Sequence, residues 1–207
     1  MELDLSYAQA LPVHPFQAEC IKLLVVGLGG TGSFLARHVA CLVWLLRNAG
    51  KEAHLTFVDP DTVEAGNLPR QHFCPAEIGR YKAEALAERY AQAFGIEIGC
   101  IPTRFSPDLV RLEWNTLTIL VGCVDNAAAR VAIEEALQAN ETRSNGEKPA
   151  VPRVWSLDLG NGLDYGQALL GSTTCVKTLA SAFALGALSR CCLLPSPLLD
   201  FIPVVVY

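Results

Sequence analysis

Apolar positions along the chain fall into short runs that alternate with longer periodic stretches, and polar turns separate the two. Ile21-Lys22-Leu23-Leu24-Val25-Val26 is short, apolar and β-branched, which predicts a strand over 21–26. The next stretch predicts a helix over about 31–48 that is apolar on most faces, through Phe34, Leu35, Val39, Leu42, Val43, Leu45 and Leu46. A helix of that kind is buried under a sheet or forms a subunit contact, and we expect a homodimer from it. His54-Leu55-Thr56-Phe57-Val58-Asp59 reads as a second strand ending in an acid, and a further helix begins within Ile78-Gly79-Arg80-Tyr81-Lys82-Ala83-Glu84-Ala85-Leu86. A strand follows near 97–103, and then Ser106-Pro107-Asp108 carries the start signal of a capped helix. The apolar run over 117–123 suits a central parallel strand, and a helix extends from Asn126 to about Asn140. A polar loop over 141–150, expected to be mobile, precedes strands at 154–158 and about 168–170. An alanine-leucine helix over 178–188 and an apolar, proline-containing end over 193–207 complete the pattern.

Strands alternating with helices predict an α/β fold: a Rossmann-like, mostly parallel open sheet with helices on both faces and additional C-terminal strands and a helix. Length supports a single domain over 1–207, divided into an arm at 1–20, a nucleotide-binding core at 21–140, the loop at 141–150 and a C-terminal part at 151–207.

Chemistry enters at Gly27-Leu28-Gly29-Gly30-Thr31-Gly32, between the first strand and its helix. Gly27 permits the tight turn, Gly29 lets backbone N–H groups approach a phosphate, and Gly32 lets the helix pack on the strand. The helix N-terminus directs its dipole and unsatisfied N–H groups at that phosphate. The same loop can also be a strand–helix turn with no ligand. Asp59 is placed to bind ribose hydroxyls, or else to cap the turn that follows it. Its distance from Gly32 exceeds the usual ~20 residues, which a long first helix absorbs. Arg70 and Lys82 can reach a polyphosphate, one as a bidentate fork and the other as a point charge. A lysine in a first helical turn opposes the dipole, so something nearby must justify it. Asp125 ends the fourth strand, where a carboxylate can hold Mg²⁺, although Asp125 or Asn126 also suits a helix N-cap.

Composition narrows the classes. The chain has 207 residues, a net charge of −5, a 51% hydrophobic content and eight cysteines. No basic stripe suggests a nucleic-acid partner. The N-terminus lacks signal-peptide order, and the apolar window over 178–194 is broken by Arg190, so no membrane association is expected. No C-x-x-C pair occurs, so zinc is not expected. Cys41, Cys100 and Cys123 lie in apolar runs and read as core residues. Scattered thiols on an untargeted chain fit a reducing, cytoplasmic compartment.

Taken together, Gly27-x-Gly29-Gly30-x-Gly32, Asp59-x-Asp61-x-Val63, Asn67-Leu68-x-Arg70-Gln71, Gly79-x-x-Lys82 and Asp125-Asn126 resemble the ThiF/MoeB-type enzymes related to ubiquitin activation, over residues 21 to about 140. Asp158-x-Gly160-Asn161 with Gly166-Gln167 looks like the ThiF-related branch found in a ParB-related plasmid cassette. The resemblance implies ATP- and Mg²⁺-dependent adenylation of the C-terminal carboxylate of a small ubiquitin-like or sulfur-carrier protein, by a homodimer. By position it implies that Asp59 holds the ribose and that Asn67, Arg70 and Lys82 contact phosphates. Gln71 lies beside them, and Asp125 positions Mg²⁺. Gly27, Gly29, Gly30, Thr31, Gly32, Asp61 and Asn126 complete the nucleotide site. Three features depart from the family: the paired C-x-x-C zinc site is absent, residues 1–20 contain no Arg or Lys, and no catalytic cysteine stands out. Cys175 is the best-placed candidate, although a buried structural thiol is the simpler reading of it. An NAD-dependent oxidoreductase is suggested by the glycine loop and Asp59 alone, but it does not call for Arg70, Lys82 and Asp125 together. A nucleotide-binding scaffold of the same fold is the other alternative.

Overall fold

The computed structural model describes residues 18–140, 153–161, 166–172 and 201–204. Its elements run β1 (Cys20–Val26), α1 (Gly30–Asn48), β2 (Glu52–Val58), α2 (Lys82–Phe94), β3 (Gly99–Ile101), β4 (Thr116–Gly122), α3 (Ala127–Ala139), β5 (Val154–Asn161), β6 (Gly166–Gly171) and β7 (Phe201–Val204). The seven strands form one sheet in the order β3-β2-β1-β4-β5-β6-β7. β3, β2, β1, β4 and β5 are parallel, and β6 and β7 are antiparallel additions at one edge. This is the expected α/β open sheet. Most of the expected arm, the loop at 141–150, the helix at 178–188 and Cys175 lie outside the described residues.

Strand alternation sorts the core into two layers. Leu23, Val25, Leu55 and Phe57 pack with Ala36, Val39, Ala40 and Val43 of α1 and with Ala83, Leu86 and Tyr90 of α2. Leu24, Val26, Val58 and Leu120 point the other way, against Ile133, Ala136 and Leu137 of α3. Helices therefore cover both faces, and the runs Leu23–Val26 of β1 and Ile119–Val121 of β4 are apolar because both of their sides face the core. The outer side of α1 keeps Phe34, Leu42, Trp44 and Leu45 between 41% and 55% exposed, although a helix so apolar is normally covered.

Two expectations need correction. After Ser106 the chain makes only a 3-10 turn, Pro107–Leu109, with no side-chain cap, and Val110 is already extended. Burial overrides the local start signal: Val110 joins the core against α3, its carbonyl accepts from Asn140 Nδ2 at 3.2 Å, and Asn115 (φ 58°) turns the chain into β4. Cys100 is exposed rather than core, because β3 is a three-residue edge strand. Cys41 and Cys123 are half-buried.

Candidate functional site

The strand order reverses between β1 and β4, and an open α/β sheet binds ligands at such a crevice, outside the carboxyl ends of its strands. The glycine turn leaves β1 at this point. Gly27 has φ +88°, donates its N–H to Val58 O at 2.9 Å, and would place a Cβ 2.8 Å from Cys123 O. The exits of β1 and β4 are thus packed together. α1 then starts at Gly30 with no side-chain cap and no acid in its first turn. Its leading N–H groups have no partners within the helix, and its positive dipole end faces the crevice.

Asp59, just past β2, ties this turn down. One carboxylate oxygen accepts from Leu28 N–H at 2.5 Å and the other from Asp61 N–H at 2.8 Å. Burial raises its pKa, and these two N–H donors oppose the rise. The turn-capping role is therefore filled, and the remaining lone pairs on its oxygens are what a ribose would use.

The segment after Asp59 folds over the helix start. Asn67 Oδ1 accepts from Glu64 N–H at 3.0 Å and closes the turn Ala65–Asn67. Arg70 O lies 3.9 Å from where a Cβ on Gly30 would stand, and Gln71 Nε2 lies 3.9 Å from one on Gly29. His72 N–H donates to Ser33 Oγ at 2.9 Å, and its ring stacks on Phe34. Gln71 is 7% exposed, and its Oε1 is buried with no hydrogen-bond partner among the described residues. Beside the glycine turn, Gln71 Oε1 thus has hydrogen-bonding capacity that the described residues do not meet. Arg70 is exposed and makes no side-chain hydrogen bond or ion pair among the described residues.

The brace behind this segment is Glu77 with Arg89. Arg89 donates from Nε to Glu77 Oε1 at 3.0 Å, from a terminal nitrogen to Oε2, and from Nη1 to His72 O at 2.9 Å. Burial alone would raise the Glu77 pKa, but Arg89 and the Cys74 N–H hold it below the usual carboxylate range. Lys82 opens α2 almost fully buried, with its Nζ 3.0 Å from Asp61 Oδ2. Asp61 also accepts the Lys82 backbone N–H at 2.9 Å, which accounts for a cation at a helix start.

Across the crevice, Asp125 follows β4 and is exposed, with no hydrogen bond or ion pair among the described residues. Asn126 caps α3 instead, its Oδ1 accepting from Ala129 N–H at 2.9 Å. Sequence reasoning missed Arg130, whose Nε donates to Asp158 Oδ1 at 3.3 Å. Burial raises the Asp158 pKa, and Arg130 opposes that. Gly122, opposite Asp158 in register, leaves that carboxylate room: a Cβ there would lie 3.4 Å from Asp158 Oδ1. Cys123 lies beside them, and burial, with Asp158 adding to it, pushes its thiol up to about 12.

Comparison with known proteins identifies the lineage. The sequence model of the ThiF family matches residues 17–151, more than half of the chain, and the chain belongs to that family. It is 30% identical over 115 residues to "Adenylyltransferase and sulfurtransferase UBA4" of Yarrowia lipolytica, covering 55% of this chain and 27% of that protein. It is 30% identical over 129 residues to "Ubiquitin-like modifier-activating enzyme 5" of Dictyostelium discoideum, covering 56% and 32% respectively. The chain thus spans about a third or less of these curated relatives. The structure of E. coli MccB with ATP shares the fold, with a TM-score of 0.50 and 18% identity over 82% of this chain and 48% of that one.

Proposed function

We propose that this member of the ThiF family binds ATP at the glycine turn and adenylates the C-terminal carboxylate of a small ubiquitin-like or sulfur-carrier protein. The observation that carries the reading is Gln71, whose amide lies beside Gly29 at the uncapped start of α1 with a buried Oε1 that finds no partner among the described residues, next to Arg70, whose backbone carbonyl lies beside Gly30. The helix N-terminus takes phosphate oxygens, and Arg70 adds a bidentate fork. The acceptor carboxylate is already ionised near pH 7, so no protein base is required. Its oxygen bonds to the α-phosphorus, the bond from that phosphorus to the bridging oxygen breaks, and pyrophosphate departs with the electron pair. Cationic and N–H groups on this chain hold the reactants in line and offset the charge gathered on the phosphates. Asp125 would hold Mg²⁺, being exposed, without a partner among the described residues and relieved of capping by Asn126; the ion, when bound, would offset charge on the leaving pyrophosphate.

The test is thermal unfolding with ATP and Mg²⁺, set against NAD, together with ATP–pyrophosphate exchange. ATP at about a hundred times its dissociation constant adds about 2.7 kcal/mol, or roughly 5–10 °C in Tm for a chain of this size. Arg70→Ala should lose most of that shift. A shift with NAD alone overturns the proposal. A shift with ATP but no exchange under any carrier supports a scaffold instead, a reading that the Lys82–Asp61 pair favours by already occupying one of the two cations.

We also propose a homodimer in which a second copy covers the exposed apolar side of α1. Light scattering should give twice the chain mass, and Leu45→Glu should halve it. A monomeric mass for the unaltered chain refutes it.

A further inference from the structure

A second cluster of donor atoms lies at the opposite end of the strands from the glycine turn. Parallel pairing sets Cys20, the first residue of β1, against Glu52, the first of β2, and His54 lies two residues further on the same face. One ligand-type atom from each of the three, a thiol, a carboxylate and an imidazole, falls within 4.8 Å of the others. They line a cavity of about 300 Å³ together with Glu19, Lys22 and Glu113. Three carboxylates against one ammonium make its lining acidic, and that ammonium is occupied, since Lys22 Nζ donates to both Glu113 oxygens at 2.7 Å.

We propose that Cys20, Glu52 and His54 form a binding site for a divalent, borderline-soft metal ion of the zinc type. Sulfur, imidazole and carboxylate together are the donor set such an ion takes, with three protein ligands and an open fourth position. Tetrahedral zinc at 2.0–2.3 Å from its donors needs them about 3.3–3.8 Å apart. His54 Nε2 and Glu52 Oε1 are already 3.0 Å apart, sharing a hydrogen that a metal would replace. Closing the rest takes about 1 Å of side-chain movement. Glu52 and His54 are exposed and free to make it, and the strand register fixes the three backbones. Six residues of strand, about 20 Å, separate the cluster from the glycine turn, so this ion is distinct from one bound with ATP.

The chain, freed of metal with a chelator and kept without nucleotide, is titrated with Zn²⁺ by calorimetry and with Co²⁺ by absorbance. We expect one equivalent at this site and a thiolate-to-cobalt charge-transfer band. Cys20→Ser should abolish the band, and Cys20→Ser and His54→Ala should each weaken Zn²⁺ binding at least about 100-fold, more than loss of a supporting outer residue. Glu52→Gln, an exposed substitution, should weaken it about 10-fold or more. Zn²⁺ should raise the Tm of the unaltered chain and not that of Cys20→Ser, and the two should unfold alike in chelator. Cys74→Ser and Cys100→Ser, at exposed thiols elsewhere, should leave both readouts unchanged. Binding that survives Cys20→Ser, binding that follows Cys74 or Cys100, or no binding at all would overturn the proposal.

Discussion

Asp125→Ala is expected to cut ATP–pyrophosphate exchange by roughly a thousandfold, about 4 kcal/mol of transition-state stabilisation, with no loss of fold. The size follows from where the charge gathers. In the adenylation proposed above, pyrophosphate would leave as a polyanion, and Asp125 would hold the ion that offsets that charge. The sparing of the fold follows from what Asp125 does not do. It is exposed and carries no hydrogen bond or ion pair among the described residues, and Asn126, not Asp125, supplies the cap of α3. Asn126→Ala is the contrast: it removes a cap worth about 1 kcal/mol of stability. Exchange measured at saturating ATP and Mg²⁺, beside far-UV circular dichroism and Tm, separates the two. Unchanged exchange in Asp125→Ala would remove this residue from the reaction.

Gly32→Ala is expected to destabilise the chain by about 3 kcal/mol, lowering Tm by roughly 6–12 °C and abolishing stabilisation by ATP. A Cβ on Gly32 would lie 1.9 Å from Gly27 O and 3.2 Å from Cys123 Cβ. Gly27 cannot retreat, since its N–H is bonded to Val58 O and the Cys123 N–H to Val26 O. Relief must come from moving α1 away from β1, which opens the core and spoils the turn together. Gly30→Ala tests the specificity of that argument. Its Cβ meets nothing nearer than Arg70 O at 3.9 Å, so the stability change should stay within about 1 kcal/mol. A Gly32→Ala protein as stable as the parent would mean that the helix and turn do not pack as described.

Much of this architecture was legible in the sequence because its signals are local. Ile21 to Gly32 carries a buried strand, a tight turn and a helix start within a dozen residues, and each depends on neighbours close in the chain. The helix expected at Ser106 shows the limit. Its start signal is local too, but Val110 gains more by burial against α3 than the chain gains by another helical turn.

What the sequence determined by itself was the order of strands and helices from β1 to β6, apart from the helix expected at Ser106, and the glycine turn, because propensity, apolar runs and backbone freedom act over a few residues. Tertiary structure alone decided which side chains meet. Leu28 with Asp59, Lys82 with Asp61, Arg130 with Asp158 and Glu77 with Arg89 lie between 12 and 31 residues apart. The antiparallel direction of β6 and β7 and the meeting of Cys20 with Glu52 and His54 belong to the same class. Strand register sets such contacts, and register is a property of paired strands that neither strand carries alone. A spacing rule built for paired thiolates could not reveal a donor set that two strands assemble between them.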